Sequence, residues 1–453
     1  MPPSGHSRRR RSGDEEADRC ACSSPDGDPV VDLKLLREHP EVFRSALRRR
    51  QADPALVDRV LDADSRRRDL IQKVEALRAA QNRASEEISR LSGREREARL
   101  AETRKMAADF KAASPELQAA EAAVHDLLLR IPNLPHPSVP DGGAEASVTL
   151  RTVGTPPEFS FPPRDHVALG ALLDILDVER SARVSGPRFF YLRRGGTLLQ
   201  LALVRYSVDF LTTEGFVPTI PPVLVKREVL VNMMGGATLD EQMVYRVEGE
   251  DLGLAGTSEV PLGAMHAGEV LDEAQLPLRL CGISTCFRRE AGAYGKDTRG
   301  IFRVHQFDKV EMFSFSHPNK SWDEHDYLVS LQERLWRSLG LPYRVINIAA
   351  GDLGDPAARK YDIETWMPGR NGFGETQSCS NCTDFQARRL NVRFRRRDRG
   401  GTELVHTLNG TAVASTRAII AILENFQQAD GSVRIPTPLV PYMGGCLEIR
   451  PLP

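Results

Sequence analysis

The sequence predicts an α+β fold, a domain dominated by antiparallel sheet with flanking helices, preceded by a long antiparallel two-helix coiled-coil arm. Three observations carry that expectation. Apolar residues between 70 and 131 fall into two heptad seams. The run IPNLPHPSVPDGG, 131–143, then stops the helix with four prolines and marks a domain boundary. Beyond it, roughly 310 residues mix short helices with many β-like runs, without the Gly-x-Gly-x-x-Gly turn of βαβ units and without a P-loop.

Residues 1–29, MPPSGHSRRRRSGDEEADRCACSSPDGDP, have no apolar periodicity and are rich in Ser, Gly, Pro and charge, so a disordered extension is expected. A helical arm domain is expected over 30–140. In it Leu70, Val74, Leu77, Gln81, Ala84, Ile88 and Leu91 step by four and three, the seam of a coiled coil. The returning seam is Met106, Phe110, Ala113, Leu117, Ala120, Val124, Leu127 and Ile131. The polar stretch SGREREARLAET, 92–103, is expected to form the tip. Ser114-Pro115-Glu116 reads as a cap with Pro at a first helical position, so a kink or restart is expected there. About 35 residues at ~1.5 Å rise give a length on the order of 50 Å. Such an arm suits oligomerisation or a lever that reaches a large partner. Arg66, Arg67, Arg68, Arg78, Arg83, Arg94, Arg96 and Arg99 stud its outer faces.

The formal net charge is −1 over 453 residues, so a nucleic-acid partner must be met by a local surface. Only nine of the 61 basic residues are Lys, which reads as compositional bias rather than a binding signal. No run of 18 apolar residues predicts a membrane span, and no apolar h-region predicts a leader. Seven cysteines over this length fit a reducing cytoplasm.

Four segments of the expected domain 141–453 carry chemistry: GTSEVP (256–261), FRREAGAYGKDTRGIFRVHQFDKVEMF (287–313), FGETQSCSNCTDFQARR (373–389) and VHTLNGTAVASTRAIIAILENFQQADG (405–431). In the second, a glycine-punctuated loop between Arg288 and Arg303 suggests a cradle for a polyanion. From Ile301 to Met312 the two-residue rhythm predicts a strand with Arg303, Phe307 and Glu311 on one face. Taken singly, Glu311 reads as a surface carboxylate and His406 as structural. Cys379-x-x-Cys382 resembles half a zinc site but has no second pair at metal spacing, so core or site-wall cysteines are expected.

Together the arm and these segments resemble seryl-tRNA synthetase of the bacterial type, a class II aminoacyl-tRNA synthetase, over roughly residues 30–445. The resemblance implies ATP-dependent activation of L-serine to seryl-adenylate and transfer to tRNA(Ser), with tRNA(Sec) a further acceptor, in a cytoplasmic homodimer built partly on TEGFVPTIPPVLV, 213–225, around Pro222. It implies the catalytic cations Arg288, Arg303 and Arg417. Arg288 reaches the α-phosphate and the serine carboxylate, as planar bidentate recognition favours, while Arg303 and Arg417 bracket a bent ATP tail. Glu290 holds the adenine amino group, and Phe307 and Arg417 take the two ring faces. Arg289, Val304, Thr376 and Gln377 complete the ATP contacts, with Glu375 and Ser378 linked to Mg2+. Thr257, Ser258, Glu259, Glu311, Asn409 and Thr411 would join Arg288 around serine. The arm would lie across the tRNA, with Arg78, Arg83 and Arg94 against its backbone.

The sequence departs from the family at Gly374, where Arg is usual, at Thr376 and Gln377, where an apolar and a small hydroxyl residue are usual, and at Ala412 and Thr416, where Gly is often found. These departures raise the expectation of a specialised second copy, tolerant of a seryl-adenylate mimic or serving biosynthetic supply. A catalytically altered paralogue that binds, regulates or loads a non-tRNA acceptor is the alternative.

Overall fold

The computed structural model describes residues 31–236, 243–290, 299–398 and 400–452. The extension expected over 1–29 and residues 291–298 of the glycine-punctuated loop lie outside them. The N-terminal region opens with two short helices, α1 (Leu33–Glu38) and α2 (Pro40–Arg49), the first capped by the Asp32 carboxylate, which accepts the Leu35 N–H. The arm follows as α3 (Ala55–Ile88) and α4 (Gly93–Leu129). Every seam position named above is buried or half-buried, with Ala84, Ala113, Ala120 and Val124 fully enclosed. The tip is shorter than expected: only Ser89–Ser92 joins the helices, and the charged stretch from Gly93 is already helical, because its Glu, Arg and Ala are strong helix formers. Pro115 neither stops nor restarts α4. A mid-helix proline costs about 3 kcal/mol, and the seam packing on both sides of it outweighs that.

The arm is rooted firmly. Leu36, Phe43, Leu47, Val57, Val60, Val124 and Leu128 form one cluster at its base. Asp64, fully buried there, receives Arg37 at 2.7 Å, Arg67 at 2.9 Å and Arg68 at 3.2 Å. Arg50 donates to the Leu353 and Gly354 carbonyls, and the Asn133 amide donates to Pro356 O, Cys382 O and Thr383 Oγ1.

The second region is built on an eight-stranded sheet: β1 (Val148–Val153), β2 (Val217–Thr219), β3 (Leu278–Phe287), β4 (Gln306–Ser316), β5 (Tyr343–Asn347), β6 (Arg359–Met367), β7 (Gly372–Asn381) and β8 (His406–Ala414). Its order is β1-β5-β6-β7-β8-β4-β3-β2. Each pairing is antiparallel except that of edge strand β2 with β3. Strand β4 starts at Gln306, not Ile301 as the alternation predicted. Residues 301–305 are turn and bend, with Ile301 N–H held by His166 Nε2 and Arg288 N–H by His305 O. Gly300 has φ +76°, and a Cβ there would run into His166 Nε2, so this approach requires glycine.

One sheet face is covered by α5 (Arg194–Thr213), α7 (Ser321–Ser338) and α8 (Ser415–Asn425), over a core that includes Leu203, Met312, Trp336, Ile363, Leu408 and Ile422. Helix α6 (Glu259–Ala264) stands across the other face. No helix among the described residues is long and apolar enough to cross a membrane.

Candidate active site

On the sheet face opposite α5, α7 and α8, alternate residues of the central strands are turned toward the side on which α6 packs. On β4 these are Phe307, Lys309, Glu311 and Phe313, and their partners across β3 are Cys286, Ser284, Gly282 and Leu280. The chain leaves β3 at Phe287, so Arg288 continues on the same side as Cys286. Its Nε donates to Gly256 O at 3.2 Å, and its guanidinium carbon lies 5.5 Å from the centre of the Phe307 ring. Glu290 and Arg303 form an ion pair across the ends of the glycine-punctuated loop. Arg289 is exposed, and the Val304 side chain is buried in the core, so only its main chain can face a ligand.

Arg417 sits in the first turn of α8. It donates to Glu375 O at 3.0 Å and to Phe302 O at 3.3 Å, and it meets the Glu375 carboxylate at 3.3 Å. Its guanidinium stacks on Phe302 at 4.7 Å, while Arg370 covers the same ring at 4.4 Å. The sequence expectation set Arg417 against the face of adenine opposite Phe307; here its guanidinium meets the Phe302 ring. Gly374 leaves room for this ladder: a Cβ there would stand 3.0 Å from Phe302 Cε2 and 3.2 Å from Arg370 Nη1.

A bulge decides which side chains of β7 enter the site. Glu375 faces Glu364 and Ser378 faces Asp362 on β6, two residues of one face. Thr376 is the extra residue between them. It is buried with its hydroxyl against Thr365 Oγ1 at 2.7 Å, which in turn accepts Trp336 Nε1–H at 2.6 Å. Gln377, opposite the core residue Ile363, donates to Ala412 O at 2.7 Å. The side chains of Thr376 and Gln377 are thus turned from the face that carries Glu375 and Ser378, and any contact of these two expected ATP-binding residues there is left to the main chain. Burial raises the Glu375 carboxyl, but Arg417, Lys360 and Arg288 outweigh it and hold it down to about 2. Burial, opposed by Lys360 and reinforced by Glu375, pushes Asp362 up to about 7.

Beside this lies a cluster of buried polar side chains between α6, β4 and β8. Thr257 and Glu259 enter it from one side, and Asn409 and Thr411 from β8, where they share a face with Thr407. Glu259 accepts Gln386 Nε2–H at 2.7 Å and Asn409 Nδ2–H at 2.9 Å. Glu311 accepts the Thr411 hydroxyl at 3.2 Å and pairs with Lys309 at 2.6 Å. Glu311 is only 2 % exposed, far from the surface carboxylate that its position alone suggested. Burial and the neighbouring Glu311 push the Glu259 carboxyl up to about 7. Ser258 is buried against Gly282, and among the described residues its hydroxyl has no hydrogen-bond partner. Cys379 and Cys382 are buried free thiols, with Asn409 Nδ2 3.6 Å from Cys382 Sγ. His406 Nδ1 meets Ser321 Oγ at 2.8 Å in a structural contact.

Arg78, Arg83 and Arg94 are exposed on the arm, far along the chain from this site, whereas Arg99 is engaged by Glu87 and Glu102. Pro222 is exposed near the sheet edge. Sequence reasoning passed over Lys309, Phe302, Arg370 and Gln386. The period-two pattern that exposed Phe307 and Glu311 also marks Lys309, whereas Arg370 lies on a turn with no pattern to reveal it.

Residues 243–426 match the family model of the tRNA synthetase class II core domain (G, H, P, S and T), and residues 30–135 match that of the seryl-tRNA synthetase N-terminal domain. A serine–tRNA ligase of Acidothermus cellulolyticus is 49 % identical over 417 residues, 92 % of this chain and 98 % of that one. A serine–tRNA ligase of Streptomyces coelicolor is 49 % identical over 428 residues, 93 % of this chain and all of that one. The crystal structure of seryl-tRNA synthetase from Pyrococcus horikoshii complexed with ATP superposes with a TM-score of 0.87 at 42 % identity, over 93 % of this chain and 100 % of that chain. Arm, sheet and polar cluster thus agree with sequence and structural likeness over nearly the whole length, and the chain belongs to the seryl-tRNA synthetase family.

Proposed function

We propose that this chain is a serine–tRNA ligase that activates L-serine with ATP, releases pyrophosphate and transfers the seryl group to tRNA(Ser). The observation that carries the reading is the single sheet face on which Arg288, Phe307 and Glu311 line up beside Glu375 and Arg417. A serine carboxylate oxygen attacks the α-phosphorus, and the P–O bond to pyrophosphate breaks. The reaction needs cations and alignment more than a general base. Arg288 spans the α-phosphate and the substrate carboxylate. Arg303 and Arg417 meet the polyphosphate, which requires Glu290 to release Arg303 and turn to the adenine amino group. Phe307 offers its ring to the base. Glu259 and Glu311 receive the substrate ammonium and hydroxyl, with Asn409, Thr411 and Thr257 completing the enclosure. The donor set at Glu375 and Ser378, a carboxylate held ionised beside a hydroxyl, suits a hard cation that completes its shell with phosphate oxygens. Mg2+ bound there would neutralise charge on ATP and the leaving pyrophosphate.

The arm domain, 30–140, delivers the tRNA to the catalytic domain, 141–453, through backbone contacts of Arg78, Arg83 and Arg94. The protein works in the cytoplasm as a homodimer, supported by the exposed apolar group Leu198, Leu201, Val217 and Ile220 beside Pro222 and edge strand β2. The test is serine-dependent ATP–pyrophosphate exchange followed by charging of serine tRNA, with alanine and threonine as controls. Exchange and charging with serine are expected. Exchange without charging points to another acceptor, and no exchange overturns the reading.

A further inference from the structure

The polar cluster holds a lysine that the assignment above does not use. Lys309 is 5 % exposed and lies on β4 between Phe307 and Glu311, on the same face as both. Its Nζ is 2.6 Å from Glu311 Oε2 and donates to Thr257 Oγ1 at 2.7 Å. Thr257 Oγ1 also accepts the Glu259 N–H at 3.3 Å. With both acceptor positions filled, the Thr257 hydroxyl proton is directed elsewhere, and among the described residues no acceptor meets it. Lys309 thus fixes two groups at once: the carboxylate of Glu311 in place, and the Thr257 hydroxyl as a donor. Charge points the same way. Glu259 and Glu311 are buried together, and the cations beside them are Lys309 and Arg288. A buried lysine is costly to retain unless paired, and among the described residues this one is paired with Glu311 and Thr257, two of the residues assigned to serine.

We propose that Lys309 is a positioning residue for the amino acid: its ammonium holds Glu311 and Thr257 in the arrangement that receives serine, without itself joining the phosphoryl transfer. The proposal rests on the assignment of this cluster to serine. Its consequence is a split between substrates. Serine recognition depends on Lys309, and ATP recognition, which belongs to Arg288, Phe307, Glu375 and Arg417, does not.

The test uses the full-length enzyme in ATP–pyrophosphate exchange. Lys309→Met keeps most of the side-chain volume and removes the charge. The KM for serine is expected to rise at least tenfold, with the KM for ATP within threefold of wild type. Lys309→Ala, which opens a cavity, is assayed with propylammonium or with propanol of similar size, and keeps the question answerable if the methionine variant folds poorly. The cation is expected to bring the serine KM back toward wild type by at least threefold, and the alcohol is not. An unchanged serine KM, an equal rise in both KM values, equal rescue by propanol or no rescue by propylammonium overturns the proposal. Glu311→Gln in the same assay separates the two levels. If it too leaves the serine KM unchanged, the cluster's assignment to serine fails, whereas a rise there with no effect at Lys309 removes the lysine's role alone.

Discussion

Side chains in this site act through the company that burial forces on them. Glu259 illustrates it. Burial and Glu311 raise its carboxyl to about 7, so the folded, empty protein holds that proton over a range in which an unfolded carboxylate, near 4.5, has lost it. Stability from this group therefore falls as pH rises from about 4.5 through 7. Serine binding runs the other way, since the ammonium favours the ionised carboxylate. The kcat/KM for serine in pyrophosphate exchange is expected to rise with pH toward a plateau above about 7, falling by up to tenfold per unit on the acid side. Glu259→Gln is expected to be weakly active and to lose that inflection; a wild-type profile flat from pH 6 to 8 would exclude Glu259 as the acceptor. At this scale the sequence was legible where a motif names a residue type, as at Arg288, Glu311 and Arg417. It was silent on pairing. Nothing in the order of residues says that Glu290 holds Arg303, that Arg370 and Arg417 both meet Phe302, or that Lys309 reaches Thr257, because each contact joins segments whose meeting only the fold decides.

Elements were legible in proportion to their periodicity. The arm seams were readable residue by residue because a coiled coil repeats one local rule, and only the tip and Pro115 departed, both by continuing helix where local signals suggested interruption. For this arm, replacing Arg78, Arg83 and Arg94 together by Ala is expected to lower the slope of log K against log salt for tRNA binding by about 2 to 3, at roughly 0.7–0.9 per lost phosphate contact. Serine-dependent exchange should stay at the wild-type level; filter binding across salt concentrations checks the first and exchange the second. The strands were less legible, since the bulges at Thr376 in β7 and Ala412 in β8 break the alternation on which strand reading depends. The two are tied by the Gln377–Ala412 hydrogen bond. Inserting one residue between Ile363 and Glu364 of β6 gives Thr376 a partner, and regular alternation then puts Glu375 and Ser378, three positions apart, on opposite faces. Exchange activity is expected to fall by on the order of 10²-fold or more, whereas Thr376→Val, which keeps the residue count, costs much less. Comparable activities for the two variants would remove the bulge from the account.

For the whole molecule, the class of fold followed from the arm, the proline boundary and the absence of nucleotide-binding βαβ signals, whereas strand order did not, because pairs such as β1 with β5 join residues some 190 positions apart. Association is equally a property of the assembled surface. Ile220 is 82 % exposed beside Val217 and β2, and Ile220→Asp is expected to convert a dimer to monomers in sedimentation at micromolar concentration. A wild-type monomer, or a variant that stays dimeric, would place the interface elsewhere. The root of the arm has a further consequence. Asp64, Arg50 and Asn133 hold the hairpin at its root, and the length of the arm would magnify any tilt there, as a boom magnifies a turn of its mast. A tilt of about 10° at the root carries a tip on the order of 50 Å away through roughly 9 Å. For an RNA laid along such an arm, as proposed above, a small change of angle at the root would shift the far end while leaving the catalytic alignment untouched.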